Sequence, residues 1–481
     1  MKRNLTMLMD LYEMTMANGI FKSNKKDEIA YFDMFFRRVP DGGGYAIMAG
    51  LEQLMEYLNN LHFEEDDIEY FRSTGLFGEE FLDYLKNFKF ACDVWAVPEG
   101  TPIFPMEPIV TVRGPAIQAF LVETMVLLTI NHQSLIATKS NRICSVAGTR
   151  PVMEFGARRA HGYDAAYYGA RAAIIGGCVG TSNVKTAKDF SVKASGTMAH
   201  SWVQLFDNEY LAFKRYAEEY PDSCTLLIDT YNVLKSGLPN AIKCFDEVLR
   251  PLGYRPKGVR IDSGDIAYLS KKIRKALDDA GYPDCAIVVS NSLDEYLIKE
   301  LDNQGAKVNS FGVGERLITE SSEAVFGGVY KLAAVEDADG NIIPKIKISE
   351  NIAKITLPGV KIPWRLYDRE TGKAIADVIT RGNERIDDSE PYEIFDPVHT
   401  WKRKLITDFT AKKLQVKIFE EGKQIYENPQ VLDIAAYCKE QVNSMWDEVT
   451  RFENPHTYYV DLSEELWDLR YSLLQKITNK L

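Results

Sequence analysis

Arg260 and Asp262 are charged residues in a segment that otherwise has the pattern of a buried β-strand. Side chains two apart on a strand point to the same face, so these two lie together while Val259 and Ile261 take the opposite face. An apolar helical stripe follows at once, and the segment therefore predicts a β-α unit whose strand ends in charge. A satisfied ion pair is the ordinary interpretation of an Arg-x-Asp pattern, and a ligand site is the alternative.

Three neighbouring segments repeat this design, each an apolar strand that turns polar or glycine-rich before a helix. They are residues 226–230, 286–291 and 308–314. Ser292 and Glu295 have the spacing of a helix capping box. The repeated strand-helix order predicts a parallel sheet with short crossovers. Because such sheets bind ligands beyond the carboxyl ends of their strands, four polar strand ends favour a site over an isolated ion pair.

A second patch carries residues that can bind anions. Arg158 and Arg159 follow an apolar strand that ends at Gly156, and their planar forks suit phosphate or carboxylate oxygens. The glycine-rich run at residues 176–183 lets backbone amides approach an anion, although such turns are common. The chain has no GxxxxGK[ST] pattern, which excludes a P-loop. The other basic candidates are Arg37, Arg38, Lys139, Arg142 and Arg171.

His200 is one of only six histidines, and it lies among small and hydroxyl residues in the segment 196–202. A buried structural histidine is the plain interpretation. No HExxH or His-x-x-x-His spacing predicts a metal site.

The composition excludes several classes of protein. Lys and Arg number 57 against 69 Asp and Glu, a net charge of −12, so we expect neither a nucleic-acid nor an anionic-membrane surface. The most apolar tract, residues 125–130, is far shorter than the roughly 20 residues of a membrane span, and the N-terminus lacks the apolar region of a signal peptide. Seven cysteines without paired spacings predict reduced thiols and a cytoplasmic location.

The length predicts about three domains. Residues 1–115 mix helices and strands in an N-terminal α/β domain, and residues 116–335 hold a long apolar helix and then the β-α series. Residues 336–481 contain short strands with a hairpin turn at 367–373, followed by helices. We expect the central region to be a parallel α/β barrel.

Five segments together resemble the nicotinate phosphoribosyltransferase family. They are residues 131–134, 154–160, 196–201, 227–231 and 258–265, and the likeness runs from residues 10–12 through 327–332. The resemblance implies a type II phosphoribosyltransferase: an irregular parallel α/β barrel joined to an N-terminal α/β domain, with a smaller C-terminal β/α region. It also implies a head-to-tail homodimer with shared active sites.

The family's reaction joins nicotinate to 5-phosphoribosyl 1-diphosphate, giving nicotinate mononucleotide and diphosphate for NAD salvage, with Mg²⁺ as cofactor and ATP hydrolysed to ADP and phosphate. His200 is similar to the histidine that ATP phosphorylates, so the resemblance implies a phosphohistidine there. Phe155 and the partner subunit's Tyr12 would sandwich the pyridine ring, while Arg260 and Thr197 would place its carboxylate.

The resemblance gives the remaining predicted contacts to the phosphoribosyl group. Asp262 and Asp265 would bind the ribose hydroxyls or the Mg²⁺-bound diphosphate, because carboxylates suit a hard cation. Arg158 and Arg159 would hold phosphate or carboxylate oxygens, and Gly312 and Gly314 would present backbone amides to the 5-phosphate. The residues predicted to complete the site are Arg158, Arg159, Ser182, Asn291, Gly312 and Gly314.

The chain departs from the family at Glu315, where many members have threonine. A carboxylate beside a phosphate is repulsive unless Arg316 or Mg²⁺ compensates. The nicotinamide-using relative is the nearest alternative, and it has an aspartate where neutral Ser182 falls. Quinolinate phosphoribosyltransferase is shorter and uses no ATP histidine. A catalytically silent barrel that binds phosphoribosyl ligands is the alternative from another class.

Overall fold

The structure is a computed structural model and describes residues 3–337, 339–351 and 354–478. The chain forms two compact units. We name Met1–Leu135 with Val325–Leu481 the terminal unit and Ile136–Ala324 the central unit. The sequence predicted three consecutive regions, 1–115, 116–335 and 336–481, and this division stays a prediction.

The elements are numbered along the chain. The strands are β1 (Ile29–Phe35), β2 (Ala46–Ile47), β3 (Asp93–Ala96), β4 (Pro102–Ile103), β5 (Val110–Pro115), β6 (Val152–Glu154), β7 (Thr225–Leu227), β8 (Gly258–Ile261), β9 (Ala286–Ser290), β10 (Ser310–Val313), β11 (Val329–Glu336), β12 (Ile342–Pro344), β13 (Lys361–Asp368), β14 (Ala374–Arg381), β15 (Tyr392–Phe395), β16 (Arg403–Ile406), β17 (Phe409–Lys413), β18 (Val416–Glu420), β19 (Lys423–Gln424) and β20 (Val460–Leu462).

The α-helices are α1 (Leu11–Phe21), α2 (Leu51–Asn59), α3 (Glu65–Ser73), α4 (Glu79–Lys86), α5 (Ala116–Phe120), α6 (Glu123–Ala147), α7 (Tyr163–Ile175), α8 (Val184–Asp189), α9 (His200–Gln204), α10 (Glu209–Glu219), α11 (Leu238–Cys244), α12 (Ile266–Asp279), α13 (Glu295–Asn303), α14 (Glu315–Ile318), α15 (Val431–Asn443), α16 (Asp447–Thr450) and α17 (Glu464–Thr478).

The β8-α12 unit has the predicted form. Val259 and Ile261 are fully buried in the sheet, and the helix that follows buries Ile273 and Leu277 on one face. Asp265 is the N-cap of α12, where its side chain accepts a hydrogen bond from the Tyr268 amide at 2.9 Å. Such a cap satisfies an amide that would otherwise lack a partner, so Asp265 fixes where the helix begins.

The central unit is built on a parallel sheet in the order β6-β10-β9-β8-β7. The register pairs β10 with β6 and with β9, and β8 with β7 and β9, so the carboxyl ends of all five strands share one edge. The predicted parallel α/β sheet is confirmed. The finer expectation of a barrel is not, because among the described residues no ladder joins the short edge strands β6 and β7 into a closed sheet.

The predicted capping box at Ser292 and Glu295 is wrong. Asp294 is the N-cap of α13 and accepts a hydrogen bond from the Leu297 amide at 2.8 Å. Ser292 has a φ of +43° and lies in the turn before the cap. Glu295 instead points into the protein, where Lys139 Nζ lies 3.0 Å from its Oε1. The Glu295 carboxylate therefore pairs with a buried lysine and is not available to cap the helix.

The terminal unit contains a seven-stranded sheet in the order β12-β11-β1-β5-β3-β18-β19. Its apolar side packs into a core in which Phe32 and Tyr330 stack at 4.8 Å between ring centroids. The predicted hairpin at residues 367–373 is confirmed, since β13 and β14 pair antiparallel on either side of it. A four-stranded sheet, β17-β13-β14-β20, holds a second core around Leu366 and Phe409.

Ala116–Ala147 is a helical stretch long and apolar enough by composition to cross a bilayer. Of the most apolar 18-residue window in this stretch, 67% is buried inside the protein. A buried core helix passes the same test of length and composition, so this stretch is weak evidence for a membrane span.

Candidate active site

Residues at and beyond the carboxyl ends of the parallel strands line a cavity of about 410 Å³ in the central unit. Parallel sheets bind ligands at this end, because loops from several strands converge there. The predicted site residues that line the cavity are Phe155, Arg158, Arg159, Ser182, Thr197, Arg260, Asp262, Asn291, Gly312 and Gly314.

Arg260 reaches the cavity from β8 and donates a hydrogen bond from Nη1 to Thr197 Oγ1. Its Nε is buried and has no hydrogen-bond partner among the described residues. Burial lowers the pKa of this guanidinium from its ordinary value, an effect that Asp262 and Asp229 oppose. An arginine remains charged under such a shift, so the site holds a cation with an unused donor.

Phe155 presents an aromatic ring to the same cavity. Its amide donates to the Val313 carbonyl oxygen at 2.7 Å, which joins the end of β6 to β10. A Cβ added at Gly312 would lie 2.4 Å from the Phe155 ring, so only glycine fits beneath it. Gly312 therefore makes room for the ring, a role different from the phosphate contact that the resemblance implies.

Asp262 is held by Ser290 at the end of β9 and by Asp229, which lies just beyond β7. Ser290 Oγ donates to its Oδ1 at 2.7 Å, and its own amide donates to Asp229 Oδ2 at 2.8 Å. The Ser263 hydroxyl donates to the same Asp229 oxygen at 2.7 Å. These contacts fix the Asp262 backbone and leave its carboxylate about one-third exposed at the cavity.

His200 begins the short helix α9 and faces both aspartates. Its Nδ1 lies 3.1 Å from the Thr230 hydroxyl. Its Nε2 lies 4.0 Å from Asp229 Oδ1 and 3.9 Å from Asp262 Oδ2. The ring is thus oriented through one nitrogen, while the other nitrogen lies beside two carboxylates without a direct hydrogen bond to either.

Glu154 supports the loops on the Phe155 side. Its fully buried carboxylate accepts hydrogen bonds from the Gly156 amide and, at 2.5 Å, from Thr181 Oγ1. Its backbone carbonyl also accepts from the Ser182 amide at 2.9 Å. Burial raises the pKa of this carboxyl above its ordinary value, and both hydrogen bonds to its side chain oppose the shift. Glu154 therefore ties the Phe155 turn to the Ser182 loop.

Arg159 and Glu315 form an ion pair at the cavity, with 3.8 Å between Nε and Oε2. Arg316 does not compensate Glu315 in the way the sequence suggested, since it pairs with Asp294. Arg158 also lines the cavity and lies near enough to Arg260 to lower that residue's pKa. The basic side of the cavity therefore contains two arginines from one turn and a carboxylate that engages one of them.

Three predicted residues do not line this cavity among the described residues. His200 lies next to the cavity, with its Nε2 3.9 Å from the cavity-lining Asp262, while the Asp265 side chain caps α12. Tyr12 belongs to the terminal unit, where its side chain is 45% exposed. Burial and the nearby Glu123 raise the pKa of Tyr12 to about 12, so it is a neutral phenol at physiological pH.

The other basic candidates lie elsewhere. Lys139 and Arg142 both contact the buried Glu295, within 3.0 Å and 3.2 Å respectively. Arg171 is buried with its guanidinium over the Phe190 ring at 5.4 Å. Arg37 and Arg38 line a separate cavity of about 1170 Å³ within the terminal unit.

Asp229, Thr230 and Ser290 are site residues that the sequence analysis did not assign. Each lies at or just beyond the carboxyl end of a strand, the same signal that singled out Asp262. Asp229 Oδ1 is buried and has no hydrogen-bond partner within the described part of the chain. An unpartnered buried carboxylate oxygen is costly, and this one lies beside His200 and can accept a hydrogen bond there.

Within the described ranges, no group of three or more His, Cys, Asp or Glu side chains has the arrangement of a metal site. The Asp262 carboxylate faces the cavity and the Asp229 carboxylate supports it. Mg²⁺ is often held by one or two carboxylates together with water and substrate phosphates. The residues present fit that kind of site and do not form a cage made by protein alone.

Three family models match successive parts of the chain. Their descriptions are nicotinate phosphoribosyltransferase N-terminal domain for residues 7–131, nicotinate phosphoribosyltransferase family for residues 151–357, and nicotinate phosphoribosyltransferase C-terminal domain for residues 360–470. The central match contains every residue that lines the cavity.

Proteins and solved structures that are similar to this chain are named as nicotinate phosphoribosyltransferases or as related enzymes. The nicotinate phosphoribosyltransferase of Bacillus subtilis (strain 168) is 42% identical over 478 residues, which cover 99% of this chain and 97% of that protein. That of Dictyostelium discoideum is 33% identical, covering 97% and 88%. The crystal structure of human nicotinic acid phosphoribosyltransferase matches with a TM-score of 0.85 at 28% identity, covering 97% and 99%. A nicotinate-nucleotide pyrophosphorylase from Pyrococcus furiosus shares the fold, with a TM-score of 0.70 at 24% identity, covering 92% and 99%.

Proposed function

The chain belongs to the nicotinate phosphoribosyltransferase family and has that activity, and we propose that it joins nicotinate to 5-phosphoribosyl 1-diphosphate with ATP hydrolysis in the central cavity. The products would be nicotinate mononucleotide and diphosphate, a step towards NAD. Coupling to ATP would make the enzyme a ligase as well as a glycosyltransferase. The observation that carries the site assignment is the meeting of Arg260, Asp262 and His200 at the ends of parallel strands.

Nicotinate would lie against Phe155 with its carboxylate towards Arg260 and Thr197. Arg260 supports this placement because its Nε is an unused buried donor, and a charge-assisted hydrogen bond to a carboxylate would satisfy it. The partner subunit's Tyr12 would cover the other face of the ring. Ser182 is neutral and lines the cavity, so it adds no charge that repels a carboxylate.

The phosphoribosyl group would lie along the strand ends on the side of Asp262. When diphosphate leaves, the anomeric carbon becomes electron-poor, and a fixed carboxylate nearby stabilises that charge. Asp229 holds the Asp262 backbone in place for this role. The pyridine nitrogen attacks directly, so the step requires little proton transfer. Arg158, Arg159, Asn291 and the Gly314 turn would bind the anionic groups of the donor.

His200 would be the residue that ATP phosphorylates. Its Nδ1 contact with Thr230 supports a fixed ring orientation, and its 39% exposure leaves the ring accessible. A phosphohistidine beside Asp229 and Asp262 would add negative charge where carboxylates already lie. That repulsion would shift how the site holds diphosphate, which offers a physical route from ATP hydrolysis to turnover.

Mg²⁺ would be held by Asp262 together with the diphosphate and water, and it would neutralise charge on the leaving group. Asp265 remains a second proposed contact, although its Oδ1 already accepts the Tyr268 amide. We also propose a cytoplasmic homodimer with shared active sites. The seven cysteines support a reducing compartment, since none of them forms a disulfide in the part of the chain that the structure describes.

The test is product formation from 5-phosphoribosyl 1-diphosphate with nicotinate or nicotinamide, each with and without Mg-ATP. Stimulation by ATP with nicotinate alone supports the proposal. Product with nicotinamide instead would move the assignment to the nicotinamide-using relative. In an enzyme that prefers nicotinate, Ser182→Asp should shift the substrate preference towards nicotinamide. Binding of the donor without product would indicate the silent alternative.

The role of ATP has its own test. His200→Ala should remove the stimulation by ATP and retain some ATP-independent transfer. His399→Ala is the matched control, because His399 is a half-exposed histidine of the terminal unit that contacts Asp396 at 3.1 Å. Full stimulation of His200→Ala by ATP would show that this histidine is not the phosphorylated residue.

A further inference from the structure

Glu315 places a negative charge on the wall of a cavity whose proposed ligands are anions. Its side chain is 55% exposed and lies 3.8 Å from the Arg159 guanidinium, which is 59% exposed. The neighbouring Arg316 cannot balance this charge, because it is paired with Asp294. Asp294 is fixed in turn as the N-cap of α13. Arg159 is thus the cation that Glu315 engages at the cavity.

We propose that Glu315 is an internal competitor for Arg159, which an anionic group of the substrate must displace before that arginine can bind it. This inference rests on the proposed function and deepens it. A carboxylate and a phosphate oxygen use the same guanidinium donors, so the two cannot both take the Nε side of Arg159. The competing anion could come from the phosphoribosyl donor or from the pyridine carboxylate.

The exposure of both partners sets the size of the effect. Exposed ion pairs are weak because water screens them and their side chains lose freedom. The need to displace Glu315 should therefore weaken substrate binding only about two- to five-fold. This corresponds to about 0.4–1 kcal/mol, since a tenfold change in affinity is about 1.4 kcal/mol. Glu315 would tune the KM without closing the site.

Glu315→Gln tests the proposal in the full-length enzyme, with initial rates measured against each substrate in turn. We expect the KM for 5-phosphoribosyl 1-diphosphate or for nicotinate to fall about two- to five-fold while kcat stays the same. The substrate whose KM falls identifies the anion. Glu300→Gln removes the same charge from the exposed face of α13, outside the cavity lining, and should change neither KM.

Arg159→Ala makes the test specific to the pair. In that background Glu315→Gln should no longer lower KM, because the group for which Glu315 competes is gone. An equal fall in both backgrounds would show that Glu315 repels substrate without competing for Arg159, and it would overturn the proposal. Where the KM for 5-phosphoribosyl 1-diphosphate is the one that falls, binding of inorganic diphosphate, measured by calorimetry, should tighten in Glu315→Gln and not in the double variant with Arg159→Ala.

The outcomes separate this inference from the function on which it rests. No nicotinate-dependent product from the wild-type enzyme would contradict the proposed reaction. An active wild type whose two KM values are unchanged by Glu315→Gln would leave the reaction in place and overturn the role of Glu315.

Discussion

Two groups of arginine and carboxylate side chains, one in each unit, differ in how completely they are enclosed. In the terminal unit, Arg365 and Asp377 are fully buried and joined by two hydrogen bonds of 2.7 Å and 2.6 Å. In the central unit, Arg260 lies in β8, Asp262 directly follows the end of that strand, and both line a cavity. The first group is a closed pair, whereas the second is open to a ligand.

The closed pair has further partners on several sides. Arg365 also donates to the Pro102 carbonyl oxygen at 2.8 Å, and Asp377 accepts from the Tyr458 hydroxyl at 3.0 Å. Phe104 and Tyr458 stack with 4.0 Å between centroids, and the Arg365 guanidinium lies over both rings. These contacts offset the cost of burying two charges, although Arg365 Nη1 is also buried without a hydrogen-bond partner among the described residues. An unpartnered donor alone therefore does not separate the two groups. The difference is that Arg365 is bound to a carboxylate inside the core, whereas Arg260 and Asp262 line a cavity that a ligand can enter.

Arg365→Met should produce the largest effect, on stability. It leaves the buried Asp377 carboxylate without its cation, and breaking such a pair costs about 3–5 kcal/mol. Denaturant unfolding of the full chain measures the loss. Arg403→Met is the control, because Arg403 pairs with Glu393 on the surface and its removal should cost less than about 1 kcal/mol. Equal losses for the two variants would show that enclosure does not distinguish these pairs.

Asp262→Asn should have the opposite profile, affecting activity and not stability. The asparagine oxygen can still accept from Ser290, but the negative charge that we propose lies near the reacting carbon is lost. We expect kcat/KM to fall about 100-fold, or about 2.7 kcal/mol, with unfolding changed by less than about 1 kcal/mol. Asp279→Asn removes an exposed charge at the end of α12 and should leave both quantities unchanged. Strong destabilisation by Asp262→Asn would make this aspartate part of the framework.

Local patterns in the sequence predicted much of the central unit. Strand alternation placed Arg260 and Asp262 on one face, and the repeated strand-helix order predicted the parallel sheet. The resemblance supplied roles that no pattern contains, such as that of His200. The predictions from strand alternation and element order worked because burial of apolar residues and the direction of the strands leave few alternatives, whereas the role of His200 stays a prediction.

Contacts between distant segments were beyond those patterns. The bond from the Asp262 amide to Asp229 joins residues 33 apart, and that from His200 to Thr230 joins residues 30 apart. Such contacts depend on the register of neighbouring strands, which composition does not determine. The same limit explains why the predicted capping box was wrong: Glu295 pairs with Lys139, a distant residue, and does not cap its own helix. Barrel closure likewise depends on edge strands of three residues.

Glu154→Gln tests a residue that combines both kinds of environment. Glu154 is as enclosed as Asp377, yet its carboxylate ties the loops that carry Phe155 and Ser182. Replacing it should weaken one hydrogen bond and cost about 1–2 kcal/mol of stability. The KM for nicotinate should rise more than kcat falls, because the ring contact is displaced while the Asp262 side is untouched. An unchanged KM would limit Glu154 to a structural role.

Glu13→Gln should have the smallest effect, which is confined to the dependence of stability on pH. Glu13 is fully buried in α1, and its Oε1 accepts from the Thr124 amide at 3.2 Å. Its Oε2 has no hydrogen-bond partner among residues 3–337, 339–351 and 354–478. Burial raises the pKa of this carboxyl to about 7, hydrogen bonds from Thr124 oppose the shift, and Glu123 adds to it.

The sign follows from the direction of that shift. The folded state keeps the Glu13 proton to a higher pH than the unfolded state, so its favourable contribution is complete below about pH 4.5 and is lost as pH rises through about 7. Glutamine cannot lose a proton, so Glu13→Gln should gain stability relative to wild type over this interval, by on the order of 1 kcal/mol. Unfolding of both proteins at about pH 5 and about pH 8, on either side of the raised pKa, measures the difference. A difference in stability that does not change with pH would mean that Glu13 is ionised when buried. The terminal unit could then bury a carboxylate that is neither paired with an arginine nor protonated.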